Sequence, residues 1–228
     1  MEPWREELYH HGILGMHWGV RNGPPYPIGQ GKYSDPNTSY VTTNKEAMSR
    51  SPYVHKDRLI KPGTTVCRVS TMDKEEPIKG KRKYLSVNEN VDPLWANMFG
   101  KAWNDTELYE HKFTTTKPIK VASVKTLSTI YDEGAKDPEF LKLAFDAVTA
   151  HHQYVHYPTS GSLKDDFFMA MAVFRPATQM FQNVVKDLGY NAMADPSGIS
   201  SGGLDSIILL DDSCVKLESI KRIKSGDR

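Results

Sequence analysis

The sequence predicts a single α+β domain that follows an extended N-terminal arm. From Gly12 to Pro36 the chain holds six glycines and four prolines with no sustained period, which is typical of loop or arm composition. After Lys61, strand-like runs and amphipathic helical stripes follow one another without strict alternation, which favours an α+β domain over a doubly wound parallel sheet. We therefore assign residues 1–45 to the arm and residues 46–228 to the domain.

The first elements of the domain are predicted as strands. Thr64 to Ser70 is rich in β-branched residues and follows a Pro62-Gly63 turn, and Tyr84 to Val87 reads as a second strand. Residues 107–115 and 117–124 alternate apolar and polar side chains, as expected for two more strands with one buried face.

Helices are predicted where aspartate and proline provide a start. Asp92-Pro93 and Asp137-Pro138 each place an N-cap before a proline in the first helical position. Pro176 begins a further helix that ends at Gly189. The remainder of the domain is predicted as a strand over 190–194, a loop over 196–203, and strands over 204–210 and 215–223.

Charge and hydropathy exclude several classes of function. Lys plus Arg number 29 and Asp plus Glu number 28, so a formal net charge of +1 offers no broad field for a polyanion and argues against nucleic-acid binding. No apolar run approaches the roughly 18 residues of a membrane span, and the charged start of the chain lacks the pattern of a secretory signal. We expect neither a membrane partner nor secretion by a signal peptide.

Common catalytic motifs are also missing from the sequence. No G-x-G-x-x-G, phosphate-binding loop or H-E-x-x-H occurs, which disfavours a dehydrogenase, a kinase or a zinc protease. The histidines at 10–17 and 151–156 lack metal-ligand spacing, and Cys67 and Cys214 do not form a Cys-x-x-Cys pair. We predict no metal site and two reduced, buried cysteines.

Short motifs in the domain resemble the ADP-ribosyltransferase-like domains of tailed-phage proteins. They are Val66-Cys67-Arg68-Val69-Ser70, Lys83-Tyr84-Leu85-Ser86-Val87, the run 188–195 and Ile207-Ile208-Leu209-Leu210. The resemblance covers roughly residues 60 to 223 and implies an ADP-ribosyltransferase-like fold that binds NAD. It implies that Arg68 grips the phosphates of NAD, that Ser86 lines the nicotinamide pocket, and that Asp205 is the catalytic carboxylate.

The chemistry of that reaction accounts for these residue types. An arginine fork matches a phosphate through two hydrogen bonds, and a carboxylate stabilises the oxocarbenium ion formed as nicotinamide leaves. Asp205 departs from the family pattern, because the family has a glutamate there, often in a Glu-x-Glu pair. We expect Arg68 and Ser86 on adjacent strands facing one cleft that Asp205 also enters. Without the resemblance, Arg68 reads as a salt-bridged or solvent-facing strand residue.

The arm carries a second motif, His-Gly-x-x-Gly-x-x-Trp-Gly-x-Arg. Its fixed positions are His11, Gly12, Gly15, Trp18, Gly19 and Arg21. The motif is similar to a segment that recurs in proteins encoded among the head and structural genes of tailed phages. Glycines permit close backbone approach, and tryptophan and arginine are frequent binding anchors. We predict a docking segment for phage structural proteins; an arm packed on its own domain is the alternative.

Two functions remain open at this point. One is a phage virion-associated or structural accessory protein whose ADP-ribosyltransferase-like domain has degraded catalysis. The other is an active NAD-dependent mono-ADP-ribosyltransferase that travels with the particle and modifies a host protein. The missing Glu-x-Glu favours the first. Either function places the protein in the virion or the host cytoplasm.

Overall fold

The structure, a computed structural model, describes residues 48–75, 83–88, 107–154, 162–172, 176–200 and 204–223, and it combines strands with helices. The strands are β1 (Arg58–Ile60), β2 (Thr65–Ser70), β3 (Lys83–Ser86), β4 (Leu108–Thr115), β5 (Ile119–Ala122), β6 (Ala192–Ala194), β7 (Ser206–Leu209) and β8 (Val215–Ile223). The helices that lie wholly within these ranges are α1 (Val124–Gly134), α2 (Pro138–Tyr154), α3 (Leu163–Met169), α4 (Pro176–Asp187) and α5 (Pro196–Ser200). The predicted α+β class is confirmed.

All eight strands belong to one mixed sheet in the order β1-β5-β6-β7-β3-β2-β4-β8. Every neighbouring pair is antiparallel except β5 and β6, where Val121 lies beside Ala192 in a parallel pair. Parallel neighbours need a crossover connection, because the chain must return to the same end of the sheet. Helices α1 to α4 lie on that connection.

Helix α1 was not predicted, because it is rich in residues that favour strands. Its sequence, VKTLSTIYDEG, contains four β-branched side chains. The Ser123 side chain caps its N-terminus by accepting a hydrogen bond from the backbone N of Thr126. Leu127 and Tyr131, one turn apart, are its buried residues. Tertiary burial of this pair therefore overrides the local preference for a strand.

Three other elements differ from the predictions. β1 begins at Arg58, before the predicted onset of regular structure, and α3 was not predicted. The segment 196–203 was predicted as a loop, whereas its first five residues form α5. The helix predicted at Asp92-Pro93 lies outside the described residues.

Helix α4 ends where the sequence indicates. Gly189 has φ +84°, a left-handed conformation that glycine adopts without strain, and its backbone N donates to the carbonyl of Lys186. The apolar side chains of this segment are only partly buried. Phe181 and Val185 are in the core, whereas Met180, Val184 and Leu188 are exposed.

The helical side of the core is built around an aromatic cluster. It consists of Tyr131 of α1, Phe140 of α2, Phe167 and Phe168 of α3, and Phe181 of α4. Phe167 is central, with its ring centroid 5.2 Å from that of Tyr131 and 5.6 Å from that of Phe181. Tilted and edge-on contacts at these distances stabilise aromatic pairs beyond their area burial. The cluster therefore joins four helices.

The strand β8 forms one edge of the sheet, and the much shorter β1 forms the other. The register of β8 against β4 shifts between Lys112 and Phe113, which marks a β-bulge or a similar irregularity in the pair. Lys216 and Lys221 are exposed along β8. The long edge is thus locally irregular and lined with charged side chains, among them the ion pair of Lys216 with Glu218.

Asp57 fastens the segment before β1 to the start of α1. Its Oδ1 accepts hydrogen bonds from the backbone N of Ser123 at 2.9 Å and from the Thr126 hydroxyl at 2.6 Å. Its Oδ2 accepts one from the Tyr190 hydroxyl at 2.6 Å. Burial by itself raises the pKa of Asp57, but these hydrogen bonds together outweigh it and lower the pKa from 3.8 to about 2.

We predict that Asp57→Ala lowers the free energy of unfolding at pH 7 by about 2 kcal/mol, since hydrogen bonds to a charged group are strong but solvent weakens them at this exposed site. Because the folded-state pKa is depressed, the stabilisation is present above pH 4 and is lost as the pH falls from about 4 to about 2. Denaturant unfolding at several pH values measures both effects. Asp146→Ala, at an exposed position of α2, is the control. Equal losses for the two variants would contradict the prediction.

Candidate functional site

Arg68 lies in the middle of β2, on the sheet face that the hydrophobic core uses. It is half-buried and pairs across the strands with His111 of β4, while Val66, two residues earlier, pairs with Phe113 in the core. His111 is buried, and its Nε2 lies 2.7 Å from the carbonyl oxygen of Met72. Since a carbonyl only accepts, this nitrogen carries the proton. Arg68 thus stands beside a buried histidine.

Ser86 ends β3 and lies on the opposite face. It is buried, and it is in register with Cys67 of β2 on one side and with Ser206 of β7 on the other. Residues directly opposite each other in an antiparallel pair share a face, whereas consecutive residues of a strand alternate. Ser86 therefore shares the face of Cys67, and Arg68 points to the other. The expectation that Arg68 and Ser86 face one cleft is wrong.

Asp205 lies immediately before β7, close to the end of β3. Its backbone oxygen accepts a hydrogen bond from the backbone N of Val87 at 3.1 Å, which places it one residue from the pairing of Ser86 with Ser206. Burial, followed by the charge of Asp205, raises the pKa of Tyr53 to about 12. The charge of Asp205 therefore acts on the buried Tyr53. The structure brings Asp205 and Ser86 to the same end of β3.

The polar residues next to Ser86 continue to Asp195, which sequence reasoning missed. The Ser206 hydroxyl donates to Asp195 Oδ2 at 2.9 Å, and Asp195 is only 3% exposed. Burial raises the pKa of Asp195. Hydrogen bonds from the Gly198 backbone N, the Ser206 hydroxyl and the Ser197 backbone N lower it, but burial has the larger effect. The signal was present in the sequence, since Asp195-Pro196 repeats the pattern of Asp137-Pro138 that begins α2.

Gly198 is required by the packing around Asp195. A Cβ atom at this position would lie 2.2 Å from Asp195 Oδ2 and 2.5 Å from Ser206 Oγ. These distances are far shorter than any non-bonded contact, so a side chain would force the hydrogen-bonded pair apart. The glycine thus permits a turn of helix to lie directly on the carboxyl group.

Cys67 shares the face of Ser86, and its thiol could in principle act as a nucleophile. Its raised pKa keeps it in the unreactive protonated form. Burial, with a smaller contribution from the charge of Glu110, raises the pKa of Cys67 to about 11, and its Sγ donates to the carbonyl of Asn88 at 3.2 Å. Lys112, opposite Cys67 in β4, lies 3.6 Å from Glu110 as an ion pair. A thiol that stays protonated at neutral pH is a poor nucleophile and a poor metal ligand. The prediction that Cys67 and Cys214 are reduced and buried is confirmed.

Other site predictions concern the arm and metals. The motif residues His11, Gly12, Gly15, Trp18, Gly19 and Arg21 lie outside the described residues. Within the described ranges, no group of three or more His, Cys, Asp or Glu side chains could hold a metal ion. The helices of the same ranges include none that is long and apolar enough to cross a membrane.

We predict that Gly198→Ala lowers the free energy of unfolding by about 3 kcal/mol, because the added methyl group collides with the hydrogen-bonded pair. The control is Gly63→Ala. Gly63 has φ +82° and no atom within 4 Å of an added Cβ, so this substitution costs only about 1 kcal/mol of backbone strain. Denaturant unfolding of both variants gives the comparison. Indistinguishable losses would mean that Gly198 is needed for its backbone alone.

Comparison with known proteins adds information on the arm only. A model described as "Family of unknown function (DUF7211)" matches residues 1–25. No curated protein matches the chain, and no solved structure matches it. The matched segment contains all six motif residues and ends well before Met48, the first of the described residues.

Proposed function

We propose that this chain is a virion-associated accessory protein of a tailed phage. In this proposal residues 10–21, which we call the docking segment, attach the protein to a structural partner. The α+β domain is an ADP-ribosyltransferase-like domain with degraded catalysis. The observation that carries the proposal is the family match over residues 1–25, which contains the docking segment and stops short of the domain.

A sequence unit confined to the first 25 residues supports a separable role for the arm. Within this unit, Trp18 and Arg21 are of the types that dominate binding energies at interfaces, and the glycines of the motif let the backbone approach a partner closely. The protein's net charge of +1 offers little long-range attraction for a polyanion. In this proposal the arm recognises the partner, and the partner is a protein and not a polyanion.

Three observations support degraded catalysis in the domain. Arg68 and Ser86 lie on opposite faces of paired strands, so one bound NAD cannot take both in the roles that the resemblance implies. Asp205 is a methylene shorter than the expected glutamate. Cys67 remains a thiol at neutral pH and does not replace the missing carboxylate.

One observation favours the second candidate, an active mono-ADP-ribosyltransferase that modifies a host protein. The backbones of Ser86 and Asp205 lie at the same end of β3, as a nicotinamide pocket with a nearby catalytic carboxylate would require. In that case another residue must hold the phosphates, because Arg68 points to the far face.

The docking role predicts that Trp18→Ala weakens association with virions of the phage that encodes the chain by about 30-fold, equivalent to about 2 kcal/mol for a buried anchor. Removal of residues 1–24 should abolish association while circular dichroism shows a folded domain. Trp4→Ala, a tryptophan outside the motif, is the matched control and should bind normally. Co-sedimentation with purified particles measures the binding of the natural chain, the two single variants and the truncated chain. Normal binding by the truncated chain would eliminate the docking role.

Degraded catalysis predicts that NAD titrated into the full chain gives no nicotinamide release. Calorimetry measures binding and chromatography measures nicotinamide. The second candidate would be established instead by nicotinamide release that is lost in Ser86→Ala and in Asp205→Asn. The release should be unchanged in Arg68→Ala. The test is independent of the docking test, since either can fail alone.

A further inference from the structure

Asp195 holds together three elements that meet at one point. Its backbone N donates to the carbonyl of Ser206 at 3.1 Å, and its own carbonyl accepts from the backbone N of Ile199 at 2.9 Å. Its carboxyl accepts from the Ser206 hydroxyl and from the backbone N of Gly198. The end of β6, the start of α5 and the start of β7 are thus joined through the backbone and side chain of one residue.

The two oxygens of this carboxyl are not equivalent. Asp195 Oδ2 receives the hydrogen bond from Ser206, whereas Oδ1 is buried and has no partner among the described atoms. An ionised carboxylate would therefore bury a bare anionic oxygen, which is costly, while a protonated carboxyl buries a neutral group. The geometry favours the protonated form in the closed arrangement.

Among the described residues, no charged side chain contributes to the pKa of Asp195. The described elements that pack most extensively against α5 are α3 and β7. The charged side chains on or next to them are Lys164, Asp165 and Asp166 of α3 and Asp205 before β7. None of these four contributes to the raised pKa of Asp195, which reflects burial opposed by hydrogen bonds from Gly198, Ser206 and Ser197. The titration is therefore governed by burial.

We infer that Asp195 is a pH-operated latch, which holds the start of α5 against the start of β7 while its carboxyl is protonated and releases them when the carboxyl ionises. The start of α5 lies directly against this carboxyl, since a Cβ on Gly198 would meet Oδ2 at 2.2 Å. In this inference the buried charge is relieved by movement of the helix start away from the strand. The released region adjoins Ser86 and Asp205, so the latch would control access to this end of β3.

The linkage gives the direction of the effect. The folded-state pKa of Asp195 lies above its ordinary value of 3.8, so the closed arrangement binds the proton more tightly than the open one. Stability of the latch is therefore complete below about pH 4 and falls as the pH rises towards the folded-state pKa. In this window the opening constant rises by up to tenfold per pH unit.

Hydrogen exchange between pH 4 and 8, corrected for intrinsic rates, tests the latch in the full chain. The reporters are the backbone N–H groups of Asp195, Ile199 and Val87, whose acceptors lie at the latch. Their protection should fall with pH in the natural protein and stay constant in Asp195→Asn, which retains an N-cap without a titrating charge. Ser206→Ala removes a hydrogen bond that favours the charged form, so protection should continue to fall to higher pH.

Asp211→Asn is the matched control, because Asp211 also caps a short helical turn but has a lowered pKa. It should keep the natural pH response at the three reporters. Identical pH profiles for Asp195→Asn and the natural protein would overturn the inference. Should Asp195→Asn fail to fold, the carboxyl ¹³C titration of Asp195 in the natural protein decides, and a midpoint at or below 3.8 would also overturn it.

Discussion

The register between β2 and β3 determines what chemistry this sheet can support. Cys67 lies opposite Ser86, and because side chains alternate along each strand, this one pairing assigns every neighbouring residue to a face. Arg68 and His111 occupy the face that joins the core at Val66 and Phe113. A shift by a single residue would exchange the two sets.

The two faces differ in their electrostatic character. The face of Arg68 combines a guanidinium with a neighbouring histidine that is held by a carbonyl oxygen. The face of Ser86 leads through Ser206 to Asp195, whose carboxyl is buried with no charged partner among the described residues. The cationic group of one face and the proton-holding carboxyl of the other are therefore separated by the sheet itself. Any ligand bound on one face meets only one of these sets.

Local features of the fold were predictable from the sequence, and the pairing of its strands was not. β2, β4 and β8 follow from alternating or β-branched runs, and α2 and α4 follow from their starting prolines. Register depends on contacts between distant residues, so the faces of Arg68 and Ser86 could not be read from their own segments. The short helix α5 was obscured by glycine and serine, although Asp195-Pro196 indicated its start.

The edges of the sheet have a consequence for association between copies of the protein. β8 presents a nine-residue edge, long enough to accept a strand from a neighbouring molecule. The register shift against β4 and the exposed Lys216 and Lys221 oppose such addition, and β1 at the other edge is only three residues long. Growth of the sheet by aggregation is thereby discouraged at both ends. A chain gathered at high local concentration on a particle surface would depend on this protection to remain separate from its neighbours.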